Sequence, residues 1–189
     1  MRENFCKFVT KMTEMNVHPL EDFRYCPQCG TSDFVVHDGK SKSCKACGFV
    51  YYYNSAASTA AIILNERDEL LVCRRAQEPA RGTLDLPGGF CDCSETAEEG
   101  VVREVREETG LDVIRTTYLF SLPNRYLYSG FWVHTTDLFF RCEVSVSSLP
   151  IARDDASELL WVPRNELKES DFGLESIRKG IELFLSGNF

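Results

Sequence analysis

One stretch constrains this 189-residue chain more than any other. It reads Gly89-Phe-Cys-Asp-Cys-Ser-Glu95-Thr-Ala-Glu-Glu-Gly-Val-Val-Arg103-Glu104-Val105-Arg106-Glu107-Glu108-Thr109-Gly110-Leu111. Thr96 with Glu99 three residues later has the form of a capping box, and Gly110 is a natural stop, so a helix is predicted over 96–109. Ala97, Val101 and Val105 recur at i, i+4 and i+8 and give that helix an apolar stripe for a core. Glu104, Glu107 and Glu108 fall at i, i+3 and i+4, on one face. Three carboxylates so placed repel one another unless cations neutralise them. Clustered oxygen ligands suit hard Mg²⁺ or Mn²⁺. Such ions neutralise a pyrophosphate, polarise its phosphorus and lower the pKa of bound water. Pro87-Gly88-Gly89, just upstream, lets the backbone come close to the ions. An acidic helix face is also a common solvated surface, so the glutamates alone do not decide the matter.

The full spacing is more specific. It resembles the Nudix box, Gly-x5-Glu-x7-Arg-Glu-U-x-Glu-Glu-x-Gly-U, where U is a bulky aliphatic residue. Gly89, Glu95, Arg103, Glu104, Val105, Glu107, Glu108, Gly110 and Leu111 match every fixed position. The resemblance implies an α/β fold, an α/β/α sandwich around a mixed sheet. It implies that Glu104, Glu107 and Glu108 bind catalytic Mg²⁺ or Mn²⁺, with the Gly88 carbonyl as a further ligand. Glu104, or a residue beyond the box, would activate water. Arg103 would orient a carboxylate through a charge-assisted hydrogen bond. Gly89 and Glu95 would support the loop–helix junction.

A second feature stands upstream. Cys26-Pro-Gln-Cys29-Gly30 and Cys44-Lys-Ala-Cys47-Gly48 are matched Cys-x2-Cys-Gly knuckles, with fourteen residues between Cys29 and Cys44. Four thiolates suit tetrahedral Zn²⁺ with no open position, a structural site rather than a catalytic one. The surrounding segment has little apolar material and needs such a staple. Its cations Arg24, Lys40, Lys42 and Lys45 are offset by Asp22, Asp33 and Asp38, a poor footprint for DNA or RNA. The ribbon therefore reads as a structural or dimer-forming element. Of nine cysteines, Cys6, Cys73, Cys91, Cys93 and Cys142 remain. They read as small, partly buried thiols, with a redox or second zinc role for Cys91-Asp92-Cys93 as the alternative.

Composition sets outer bounds. Apolar residues make up 43% of the chain, enough for a core, and net charge is −8, which counts against generic nucleic-acid binding. No apolar run is long enough to span a membrane. Met1 to Val17 lacks the apolar stretch of a secretory signal, and the cysteine usage suits a reducing compartment; the expected location is cytoplasmic. The predicted organisation is an N-terminal helical extension over 1–21, a zinc ribbon over 22–52 and a Nudix domain over 53–189. Phe5, Phe8, Val9 and Met12 outline a short amphipathic helix in the extension. In the domain, Ser58–Leu64 and Glu69–Arg74 read as a strand hairpin around Asn65-Glu66-Arg67-Asp68. A further strand leads to the glycine loop, and Leu111–Ser121, Thr136–Val146 and Glu158–Val162 read as strands. Leu174–Leu185 reads as a helix.

The order of ribbon, then Tyr51-Tyr52-Tyr53-Asn54, then box is similar to the NADH pyrophosphatase branch of the family. The residues before Cys26 are too few for the large N-terminal domain typical of that branch, so that domain is not expected here. That branch carries Ser-Gln-Pro-Trp-Pro-Phe-Pro-x-Ser after its box. Here Ser121-Leu-Pro123-Asn124-Arg125-Tyr126-Leu127-Tyr128-Ser129 keeps Ser121, Pro123 and Ser129 and an aromatic at Tyr126. The loss of the other positions leaves NAD(H), ADP-ribose and FAD open as substrates. Tyr126 and Tyr128 are candidates for stacking on a base. Asp155, six residues before Trp161, stands where that branch has another metal-binding acid, and Glu158 is its fallback. Arg74, Arg75 and Arg81 are candidates to meet substrate phosphate. The resemblance also implies a homodimer. Two rival readings remain: a non-catalytic ligand sensor, and a hydrolase acting on dinucleotide-capped RNA ends.

Overall fold

The computed structural model describes residues 18–145 and 156–187, so the predicted N-terminal helix and Asp155 lie outside the described residues. The chain divides between Asn54 and Ser55 into two compact units.

The first unit is a three-stranded antiparallel sheet, β1 (Phe34–Asp38), β2 (Ser41–Cys44) and β3 (Val50–Tyr52). Its core is small: Cys26, Phe34 and Cys44, with Phe49 packed against them. The two knuckles are built alike. Gly30 N–H donates to Cys26 O at 2.8 Å and Gly48 N–H to Cys44 O at 3.0 Å. Cys26 N–H donates to Thr31 O and Cys44 N–H to Phe49 O, both at 2.8 Å.

The second unit holds two further sheets. β4 (Ala56–Ile62), β8 (Phe131–Val144) and β7 (Val113–Tyr128) lie in the order β4-β8-β7, with β4 parallel to β8 and β7 antiparallel to it. β6 (Leu84–Asp85), β5 (Glu69–Arg75) and β9 (Ala156–Pro163) form an antiparallel sheet in the order β6-β5-β9. The sheet arrangement is thus mixed, as expected.

Alternation along the strands builds two cores. Ala60 and Ile62 of β4, Leu70 and Val72 of β5 and Phe139 of β8 face one core, which Ile177, Ile181 and Phe184 of helix α2 (Glu175–Ser186) complete. Ala61, Ile63, Leu71 and Phe140 face the other, covered by Val101 and Val105 of helix α1 (Ala97–Thr109). Because successive strand side chains point to opposite faces, one helix is recruited to each side. Val101 and Val105 are fully buried, and each such side chain contributes about 1.5–3 kcal/mol relative to exposure.

Two strand readings need correction. The turn Asn65–Asp68 is present, with Asn65 N–H donating to Glu69 O at 3.1 Å. The flanking strands pair only through the Leu64–Leu70 bridge, however, and then part into different sheets. Both are apolar on two faces, which suits interior strands rather than a free-standing hairpin. The segment 122–135 is also strand, extending β7 and β8 into one long hairpin that turns at Ser129-Gly130.

Candidate functional site

Helix α1 begins at Thr96, whose side chain accepts from Glu99 N–H while Glu99 accepts from Thr96 N–H, the predicted capping box. Gly110 closes the helix, donating to Arg106 O at 2.9 Å. The register so fixed presents Arg103, Glu104, Glu107 and Glu108 toward the preceding loop.

Arg103 is the hub of this face. Its Nε donates to Glu95 Oε2 at 3.1 Å and its Nη2 to Glu95 Oε1 at 2.7 Å. Its Nη1 donates to Glu104 at 2.9 Å and to Glu107 at 3.0 Å, and Nη2 also reaches Phe90 O at 3.0 Å. A guanidinium has five N–H donors, so the fork is saturated. These bonds raise the Arg103 pKa and hold the Glu95 carboxyl below its ordinary range. Glu95 also accepts from Asp92 N–H at 2.5 Å, spanning the loop and the helix.

The glutamates differ in setting. Glu108 is buried and accepts from Gly88 N–H at 2.9 Å. The Glu104 side chain is 15% exposed, and its burial pushes its pKa up against the opposing pull of Arg103. The Glu107 side chain is 48% exposed. The carboxylates do not converge on one point: two lean on Arg103 and one on Gly88. The glycines are required here. Gly88 has φ +149°, and a Cβ there would stand 2.1 Å from Thr59 O. A Cβ on Gly89 would stand 2.7 Å from Glu104 Oε1.

Beside this face lies a cleft of about 180 Å³. Gly88, Gly89 and Glu108 line it, as do Arg75, Asp85 and Tyr126. Asp85 is buried, which raises its pKa despite the Arg75 guanidinium 2.5 Å away. Among the candidate substrate contacts, Tyr126 lines the cleft, whereas Tyr128, Arg74 and Arg81 do not. Tyr128 is 60% exposed, and Arg81 is exposed. Arg74 donates to Glu158 Oε2 at 3.0 Å and to Gly82 O at 2.9 Å, so Glu158 faces Arg74 across β5 and β9. Arg75, rather than either neighbour, is the arginine of the cleft, because strand alternation separates it from Arg74. Asp85, Asn124, Thr135 and Asp137 also line it; single polar residues in strands carry no spacing signal.

In the first unit, the four ribbon sulfurs lie within 4.8 Å of one another, the single such cluster of possible ligands among the described residues. Cys26 and Cys47 Sγ are 3.8 Å apart, and Cys29 and Cys44 Sγ 3.6 Å. Burial opposes ionisation of Cys44, but the Cys47 N–H and neighbouring groups outweigh it and bring its pKa to about 7. This cluster could hold a metal ion. Cys91 and Cys93 join no such cluster, and burial raises the Cys91 pKa, away from thiolate chemistry.

With the geometry in place, the NUDIX domain family model matches residues 54–183. The chain belongs to the Nudix family. It is 36% identical over 119 residues to an ADP-ribose pyrophosphatase of Methanocaldococcus jannaschii, covering 62% of this chain and 68% of that protein. It is 33% identical over 108 residues to the NAD-capped RNA hydrolase NudC of Vibrio atlanticus, covering 56% of this chain but only 39% of that relative. A NUDIX hydrolase from Nitrosomonas europaea superposes with a TM-score of 0.68 at 21% identity, covering 87% of this chain and 92% of the other; that likeness speaks to fold. No described helix is long and apolar enough to cross a membrane.

Proposed function

We propose that this chain is a divalent-metal-dependent pyrophosphohydrolase that cleaves the P–O–P linkage of a nucleoside diphosphate derivative, of the dinucleotide or nucleotide-sugar type. NAD(H), ADP-ribose and FAD are the leading substrates. One observation carries the reading: Glu108, Gly88 and Gly89 are at once parts of the carboxylate face and walls of the cleft. A diphosphate bound there would meet Glu108 directly.

Oxygen donors without nitrogen or sulfur fit Mg²⁺ or Mn²⁺. Glu104, Glu107 and Glu108 would hold the ions, with the Gly88 carbonyl and Asp155 as further ligands. When bound, they supply charge neutralisation at the diphosphate and a more acidic water. The protein's own contribution is positional. Arg103 fixes Glu104 and Glu107 and ties them through Glu95 to the loop. Glu104, or a residue outside the box, would take the proton from water. Tyr126 stacks on a ring of the substrate. The ribbon, over 22–52, holds Zn²⁺ through Cys26, Cys29, Cys44 and Cys47 and has a structural role, and the chain acts as a homodimer.

Phosphate-linked turnover of NADH, NAD⁺, ADP-ribose, FAD and nucleoside triphosphates with Mg²⁺ and Mn²⁺ tests this. A clear preference for one diphosphate class supports it. No turnover by folded, metal-replete protein sinks it and favours a ligand sensor. Similarity to NudC favours a second substrate, dinucleotide-capped RNA, read by release of the cap from a short capped oligonucleotide.

A further inference from the structure

The inward row of the β7–β8 hairpin changes character along its length. On β7, Phe120, Leu122, Asn124 and Tyr126 share one face by alternation, and Phe120 and Leu122 belong to the α2 core. On β8, Phe139 is in that core, but Asp137 and Thr135, two and four residues earlier, are polar. Asn124 stands opposite Thr135 in the register. All three polar side chains are almost fully buried, with Asn124 5% exposed, and all three line the cleft.

Two of them are accounted for. Asp137 accepts from the Thr135 hydroxyl at 2.5 Å and from the Ser176 hydroxyl of α2. Asn124 is different: its Oδ1 is buried and has no hydrogen-bond partner. An unpartnered buried carbonyl is costly, so its retention in a wall of the cleft points to a ligand donor. The neighbouring acid adds only acceptors, since each Asp137 oxygen already takes one hydroxyl and keeps a second lone pair. Arg75, the cleft's cation, is engaged by Asp85 and by Pro79 O.

We infer that Asn124 is a specificity-determining residue that accepts a hydrogen bond from the exocyclic amine of the substrate's base, selecting a 6-amino purine over a 6-oxo one. The inference rests on the pyrophosphohydrolase reading, which puts the substrate in the cleft that Glu108 and Asn124 both line. In the amide orientation present, with Oδ1 unpartnered, a 6-oxo group would set a lone pair against the Asn124 carbonyl and leave both acceptors unsatisfied.

The test compares ADP-ribose with inosine diphosphate ribose as substrates, and AMP with IMP as ligands in calorimetry. The wild type is expected to favour the amino member of each pair roughly 10- to 100-fold. Asn124→Leu, close in shape and without the acceptor, should bring the turnover ratio near one, mainly by raising KM for ADP-ribose. If that variant does not fold, Asn124→Thr, suited to a strand but too short to reach, takes its place. Equal treatment of the amino and oxo members by the wild type overturns the inference. So does an unchanged ratio in a folded variant. If AMP outbinds IMP while neither diphosphate is hydrolysed, the hydrolase reading fails and the base reading stands.

Discussion

The ribbon cysteines and the α1 glutamates are both clusters picked out by spacing, yet they sit in the fold in opposite ways. The four sulfurs are gathered within 4.8 Å. The three carboxylates are divided between two partners, Glu104 and Glu107 on Arg103 and Glu108 on Gly88 N–H. Backbone hydrogen bonds within each knuckle place the cysteines and gather the sulfurs. Carboxylates are charged at neutral pH and crowd only around a cation, so a guanidinium stands where charge must be balanced. The first cluster suits a closed structural site; in the second, the carboxylates would have to regroup to share the ions we propose.

The largest effect should break the ribbon side of this contrast. Stripping zinc with a strong chelator, or Cys44→Ser, should abolish fixed structure in residues 22–52, because binding free energies of about 10–16 kcal/mol are typical where metal drives folding. The core around Phe34 is too small to substitute. Amide exchange should rise across 22–52 while residues of the α1 and α2 cores stay protected. Retained protection in the ribbon after metal loss would show that its sheet stands alone.

Next in size is Glu108→Gln. Glutamine keeps an acceptor for Gly88 N–H, bonded at 2.9 Å in the wild type, but lacks the charge a hard ion requires. Turnover should fall about 10²- to 10⁴-fold with little change in melting temperature. Wild-type turnover in this variant would remove Glu108 from the metal set.

The same contrast explains what the sequence made legible. The capping box at Thr96, the Gly110 stop and the position of Arg103 follow from local spacing, and α1 spans the expected residues. The cysteine cluster was equally plain, because each knuckle is a local turn. The strand partners were not: Ser58–Leu64 and Glu69–Arg74 are joined by a turn but separate into two sheets, a choice made by distant β8 and β9. The cleft residues Asp85, Asn124 and Asp137 escaped for a related reason. Each is a single polar residue in a strand, and only the long β7–β8 pairing and α2 bring Asn124, Thr135, Asp137 and Ser176 together. Arg74 and Arg75 were indistinguishable until alternation placed one on Glu158 and the other on Asp85.

A smaller effect concerns the link between loop and helix. Arg103 and the Asp92 N–H hold the folded-state pKa of Glu95 below its unfolded value. A depressed carboxylate contributes stability that is fully present above the unfolded pKa, about 4.3, and is lost as pH falls through the folded one. Glu95→Gln should therefore lower the melting temperature near neutrality and cost progressively less as the medium is acidified below ~pH 4. A gap between variant and wild type that does not change with pH would mean that Glu95 acts through shape rather than charge.

The smallest effect separates helix formation from carboxylate placement. Thr96→Ala removes the acceptor for Glu99 N–H, 3.2 Å away, and should cost about 1 kcal/mol, or about 2–4 °C in melting temperature for a chain of this size. The body of α1 is anchored elsewhere, by fully buried Val101 and Val105 and by the bonds of Arg103 to Glu95. Turnover at a temperature well below melting should then match the wild type, because the first turn can fray without moving Glu104. If turnover falls as steeply as in Glu108→Gln, the carboxylates take their position from the cap rather than from the core, and the glutamate cluster is no less dependent on local backbone geometry than the cysteine one.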